Sequence, residues 1–232
     1  MNDSDRLQIG ALLFPRMDQA DFTGPFEVFS QLPNSQLHIL AKEKSPIRDA
    51  RNLILTPQEM LQEAPQLDVL LIPGGAGVNA LMEDDEVLNF VRRQAAGTKI
   101  VMSVCTGALV LGAAGLLKGR RATTHWASHH LLQLFGATPE DARVVVDGNL
   151  VTTAGVTAGF DGALRVVAIL RGDAAAQQIQ LYLQYAPEPP FNCGDPKSAP
   201  HEVLRAAQQS IQELIRQRSE IVMRVAKGLK GH

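Results

Sequence analysis

Cys105 lies in the stretch KIVMSVCTGALVLGAAGLL, residues 99–117, where a short β-branched run passes directly into small and aliphatic residues at helical spacing. This pattern predicts a strand, a sharp turn and a helix, with the cysteine on the turn at the carboxyl end of a sheet. The first helical N–H groups, those of Gly107 and Ala108, would then lie near the sulfur. They carry the positive end of the helix dipole, which favours thiolate over thiol. The alternative is a buried structural cysteine. A sulfur nucleophile attacking an uncharged carbon builds charge, so it needs a proton donor or acceptor beside it. Asp21, in DFTGPFEVF, is the candidate; the same position suits a helix N-cap, and Asp18 is the competing carboxylate. The N–H of Thr106, with that of Gly75, could stabilise a tetrahedral intermediate, and the Thr106 hydroxyl could hold a water.

His125 and His129 fall at i, i+4, a spacing that can serve a metal, but no third ligand is in register and the glutamate of H-E-x-x-H is missing. No metal is expected. His125, next to Trp126, reads instead as a packed, hydrogen-bonded histidine near the site. Asp161, in AGFDGAL, reads as a first-turn carboxylate.

These residues need a scaffold that brings distant loops together. Leu7–Phe14 and Leu67–Pro73 are near-continuous apolar runs, as expected of central strands covered on both faces. The first leads to Arg16–Leu32, where Pro25 suits a first helical turn and leaves Asp21 and Thr23 just ahead of the helix. The second runs into Gly74, Gly75, Ala76 and Gly77, where backbone N–H groups can face a site without side-chain obstruction. Gln36–Ala41 and Leu53–Leu55 read as further strands, and Gln58–Gln62 and Asp84–Ala96 as helices. Beyond the cysteine helix come a strand at Arg121–Thr124, a helix at His125–Leu134, and a hairpin of Val144–Val146 with Leu150–Thr153 about Asp147-Gly148-Asn149. Helices are expected over Thr157–Arg171 and Asp173–Tyr185.

The alternation predicts an α/β fold, a three-layer α/β/α sandwich with a mainly parallel, flavodoxin-like sheet, in which ligands bind beyond the carboxyl ends of the strands. That edge would carry residues 15–21, 74–77 and 105 together. Ala186–Pro200, with five prolines, reads as an ordered strap rather than a flexible linker because Phe191 and the prolines are apolar; Cys193 within it is taken as an incidental thiol. Residues 201–227 form one long helix of roughly 40 Å, with Val203, Leu204, Ala207, Ile211, Leu214, Ile215, Ile221, Val222 and Val225 as its apolar stripe. The expected organisation is an α/β domain over 1–185 and a strap with helix over 186–232, packed on the same domain or on a dimer partner.

Composition narrows the function. With 232 residues and a net charge of −2, the chain offers no electrostatic case for nucleic acid or an acidic membrane. The two cysteines sit in unrelated contexts, which fits a reducing cytoplasm better than a disulfide. The opening MNDSDRLQIG lacks the apolar segment of a secretory signal, and no run approaches the length of a membrane span.

Cys105 in SVCTGALVLGAAGLLKGRRATTHW, Asp21 in DFTGPFEVF, the loop IPGGAG over 72–77 and TAGVTAGFDGAL over 153–164 resemble the ThiJ/PfpI superfamily, with its class I glutamine-amidotransferase-like fold. Within it the whole chain, including YAPEPPFNCGDP and the terminal helix, is similar to the branch that hydrates isocyanides. The resemblance implies a homodimer, no cofactor, a small-molecule isocyanide substrate, and no nucleic acid or membrane partner. It assigns Cys105 as nucleophile, Asp21 as proton donor, Thr106 and Gly75 to water or the polar atoms of the intermediate, and Val156 to the pocket wall. PfpI-type proteases carry a histidine directly after the cysteine; Thr106 stands here, which disfavours a peptidase triad. Two other readings remain open. One is a ligand-sensing module like that of AraC-type regulators, although the residues after Ala186 are too few for their DNA-binding unit. The other is a redox-sensing thiol.

Overall fold

The computed structural model describes residues 6–229. In chain order the elements are β1 (Leu7–Leu12), α1 (Gln19–Ser30), β2 (Ser35–Ala41), β3 (Ile47–Arg48), β4 (Ile54–Leu55), β5 (Glu59–Met60), β6 (Val69–Ile72), α2 (Val78–Leu81), α3 (Asp85–Gly97), β7 (Ile100–Ser103) and α4 (Gly107–Ala113). There follow β8 (Arg121–Ala122), a 3-10 helix (Trp126–Phe135), β9 (Thr138–Pro139), β10 (Val144–Asp147), β11 (Leu150–Thr153), α5 (Ala158–Arg171), α6 (Asp173–Tyr182) and α7 (His201–Leu229).

A seven-stranded sheet in the order β10-β11-β7-β6-β1-β2-β5 forms the centre. All its pairings are parallel except the β10–β11 hairpin at one edge. β6 and β7 are buried at every position, which explains why Ser103 is the only polar residue in them. Helices cover the sheet, as the alternation predicts. The hairpin pairs Asp147 with Leu150, and Gly148 takes φ +60° in the turn, a conformation open to glycine at little cost. Because β1 lies between β2 and β6, the chain reverses its direction of sheet growth there, and the loops beyond β1 and β6 part to leave a crevice.

Several expectations need correction. Residues 58–62 hold no helix: Glu59–Met60 pair with Leu40–Ala41 as an edge strand, since an open sheet edge outweighs a weak local helical preference. α1 starts six residues before Pro25, with Asp18 as its N-cap accepting from the Ala20 N–H, so Asp21 sits inside the first turn and Pro25 inside the helix. The segment Trp126–Phe135 is a 3-10 helix, capped by His125. The strap over 186–200 forms no regular element, but Phe191 is 75% exposed and anchors nothing. Lys197 instead pairs with Asp141, and Asp195 ties the following turn. α7 packs its second half on α4, α2 and the 3-10 helix, burying Arg218, Val222 and Ala226, while Leu204, Ala207, Ile211, Leu214 and Ile215 stay partly exposed. Among the described residues no helix is long and apolar enough to cross a membrane.

Candidate active site

Two loops at the carboxyl edge of the sheet, after β1 and β6, are clipped together by backbone. Asp18 N–H donates to the Gly74 carbonyl at 2.9 Å, Gly77 N–H to the Arg16 carbonyl at 3.0 Å, and Met17 bridges Gly75. Beside them Cys105 occupies the turn between β7 and α4 at φ +54°, a left-handed conformation that a non-glycine residue adopts only when its surroundings impose it. The imposing contacts are local. Thr124 Oγ1 donates to the Cys105 carbonyl at 2.6 Å and Gly107 N–H to the Val104 carbonyl at 2.9 Å. A Cβ on Gly107 would lie 2.1 Å from the Ile72 carbonyl oxygen, so only glycine lets α4 start this close to β6. The strained turn holds the sulfur beside the Asp21 carboxyl.

Asp21 reaches the same point from α1. Its carboxyl is wholly buried, Oδ2 accepts from Gly74 N–H at 2.9 Å, and Oδ1 has no partner of proper hydrogen-bond geometry. Burial pushes its pKa up to about 8, Asp18 adds to the rise, and the Gly74 N–H and the Cys105 thiol oppose it. The Cys105 thiol is likewise held well above its ordinary range, by burial first and by the Asp21 carboxyl second, against the Thr106 N–H and the Arg218 guanidinium. The expected thiolate is therefore corrected. Burial and a neighbouring acid outweigh the dipole of a seven-residue helix, and the Gly107 amide is already taken by Val104. Both shifts favour the protonated forms, thiol and carboxylic acid. Loss of one proton leaves a shared anion, carboxylate beside thiol or acid beside thiolate.

Thr106 does not leave the Gly75 amide free for a substrate. Its Oγ1 accepts from Gly75 N–H at 3.0 Å and donates to the Gly75 carbonyl at 3.2 Å, locking the glycine loop against the elbow. The backbone N–H of Thr106 faces the sulfur instead. Gly75 takes φ +120°, and a Cβ there would meet Asp18 N at 2.4 Å. Val156 lies half-buried in the turn before α5, next to Gly155, where a Cβ would meet His125. His125 Nδ1 accepts weakly from Ala127 N–H and His129 bonds the Glu140 carbonyl, so the two histidines are occupied separately. Asp161 pairs with Arg143 and accepts from Tyr185 Oη, a structural tie away from the sulfur. Cys193 is free and exposed on the strap.

Sequence reasoning missed Arg218. The residue is 3% exposed on α7; Nε donates to Asn79 Oδ1 at 2.9 Å, Nη1 to Ser128 Oγ at 3.0 Å and Nη2 to the Gly75 carbonyl at 3.1 Å. Its signal was present: 218 continues the stripe through 211, 214, 215, 221, 222 and 225, so a cation stands where the spacing calls for an apolar residue. On the far side of the Arg16–Gly77 clip lies a cavity of about 830 Å³ lined by Arg16, Asn79, Leu214, Gln217 and Ile221. Neither Cys105 nor Asp21 lines it.

A DJ-1/PfpI family model matches residues 8–169. The chain is 50% identical over 223 residues to isonitrile hydratase of Pseudomonas putida, a match covering 96% of this chain and 98% of that protein. The crystal structure of a ThiJ/PfpI family protein from Pseudomonas syringae superimposes with a TM-score of 0.91 at 41% identity, covering 94% of this chain and 90% of that one. The HTH-type transcriptional regulator GbdR of Pseudomonas aeruginosa is 28% identical over 185 residues, which is 75% of this chain and 50% of the regulator. A buried cysteine on a strained elbow, the sheet order around it and these matches together place the chain in the DJ-1/PfpI family.

Proposed function

We propose that the protein hydrates isocyanides to N-substituted formamides, with Cys105 as nucleophile and Asp21 as the group that moves protons. The observation that carries this reading is the pairing of a thiol on a strained turn with a buried carboxyl whose pKa is raised to about 8. An acid that keeps its proton at neutral pH can deliver it to carbon, and full-length similarity to an isonitrile hydratase names the substrate class.

The reactive form is the singly deprotonated pair with the proton on Asp21. The sulfur bonds the terminal carbon of R–N≡C while Asp21 gives its proton to that carbon, leaving Cys105–S–CH=N–R and a carboxylate. Water then adds to the same carbon: its proton passes to Asp21 and on to nitrogen, giving Cys105–S–CH(OH)–NH–R. Loss of the hydroxyl proton to Asp21 forms the carbonyl, breaks the C–S bond and releases R–NH–CHO, with thiolate and acid restored. Cysteine, aspartate and water balance every step, so the reaction as written uses no cofactor. The Thr106 N–H is the backbone donor beside the reacting centre, and Thr106 Oγ1 serves by holding the Gly75 loop. Val156 walls the pocket.

The same reading makes the protein a homodimer of the cytoplasm. The partly exposed stripe of α7 between residues 204 and 215 supplies apolar surface for a second copy, and the free thiols Cys105 and Cys193 suit a reducing compartment. The test is incubation with an aryl isocyanide and chromatography of the formamide. Wild-type turnover abolished by Cys105→Ala is expected; wild-type protein inert toward both aryl and alkyl isocyanides overturns the proposal.

A further inference from the structure

α7 lies outside residues 8–169 that the family shares, yet it carries a guanidinium to the elbow. A buried cation is costly unless an opposite charge or several hydrogen bonds compensate it. All three bonds that Arg218 makes are to neutral acceptors, and among the described residues none of the arginine ion pairs includes it. Cys105, on the β7–α4 turn, interacts with Arg218, with Asp21 of α1 and with Asp18 at its cap, and His125, which caps the 3-10 helix, interacts with Arg218 and Asp18. His125 is pushed toward its neutral form by burial and by Arg218, so it does not compensate the charge. Cys105 acts on Arg218 and Arg218 on Cys105. The bonding route is also direct: the Gly75 carbonyl that accepts from Arg218 accepts from Thr106 Oγ1 as well.

We propose that Arg218 is a positioning residue that braces the Gly75–Thr106 clip and supplies the countercharge under which Cys105 works as a thiolate, so that the C-terminal helix is part of the nucleophile's machinery rather than a cover. The inference rests on Cys105 being the nucleophile, not on the identity of the substrate. A cation this deep waits on an anion, and the sulfur becomes one each time the intermediate forms and collapses.

The experiment is the pH titration of thiolate ultraviolet absorbance, each protein read against its own Cys105→Ala partner so that Cys193 and tyrosine cancel. Arg218→Met is expected to move the midpoint of the Cys105 signal up by about one pH unit, a roughly tenfold loss of thiolate at a given pH below it. Arg218→Lys, which keeps the charge but not the fork of three bonds, is expected to restore most of the shift. A folded Arg218→Met protein with the wild-type midpoint overturns the inference, as does an Arg218→Lys midpoint no nearer the wild type than that of Met or, if Met does not fold, of Arg218→Gln. The absorbance needs no isocyanide. A shifted midpoint in a protein that turns over no isocyanide removes the proposed activity alone, and an unshifted one in an active hydratase removes this inference alone.

Discussion

Asp21→Asn should abolish hydration and make the fold more stable at neutral pH. The folded protein holds the Asp21 carboxyl at a pKa of about 8, against 3.8 for the ordinary group. A raised folded-state pKa means that the native chain keeps a proton the unfolded chain releases. The stabilising contribution is therefore fully present below pH 3.8 and is lost as pH rises toward 8. At roughly 1.4 kcal/mol per pH unit, the loss by pH 7 is about 4 kcal/mol. Asparagine does not titrate, and its amide oxygen can still accept from Gly74 N–H, while its NH2 group is left dry beside the sulfur at a cost of about 1–3 kcal/mol. The net gain at neutral pH is then about 1–3 kcal/mol. The gap between variant and wild type matters more than either value, because other carboxylates cancel from it. It should widen by about 4 kcal/mol from about pH 5 to about pH 8. Urea unfolding followed by circular dichroism, at fixed protein concentration, reads this directly. Parallel pH dependences in the two proteins would refute the buried, protonated acid, and retained hydration by the variant would refute its role.

The remaining expectations concern the same cluster. The wild-type kcat/KM for an isocyanide should rise with pH to a plateau, half-maximal near 8 where the pair loses its first proton; a rate that falls through that range contradicts the mechanism. Gly74→Ala sets a Cβ 2.5 Å from Thr106 N and 2.8 Å from Asp21 Oδ2, so a folded variant should lose about a hundredfold or more in turnover, and near wild-type turnover would show that this spacing is not critical. Thr106→Val removes both bonds to Gly75 and should destabilise the protein by about 1–3 kcal/mol and slow it, with Thr106→Ser restoring both; a near wild-type Val variant beside an impaired Ser variant would put the role in the methyl group.

Local chemistry made much of this molecule legible in its sequence. β1, β6 and β7 are mostly apolar because both faces are covered, and the segments after them carry Asp18 and Asp21, Gly74 and Gly75, and Cys105. Convergence of those loops follows once the sheet is parallel. Residues 150–153 and their hairpin were equally readable from the glycine in the turn. What stayed hidden depended on distant partners. Glu59–Met60 is a strand because β2 offers an edge, and Phe191 is exposed although its type suggested an anchor. The start of α1 was misplaced because Pro25 suggested a first turn, whereas Asp18 provides the cap. The charge state of Cys105 was misread for a related reason. A helix dipole is visible in sequence, but the burial that overrides it belongs to the assembled fold. Arg218 was readable only as a defect in an apolar stripe, and its meaning required knowing what that stripe touches.

The central claim is a covalent bond between Cys105 and the isocyanide carbon. It is tested most directly by acid-quenching the enzyme during turnover of an aryl isocyanide and measuring the intact mass and the digested peptides. The account expects an increment equal to the whole isocyanide plus the transferred hydrogen in place of the thiol proton, located on the peptide containing Cys105. Steady formamide production with an unmodified Cys105 peptide at every quench time, or undiminished production by Cys105→Ala, would contradict it.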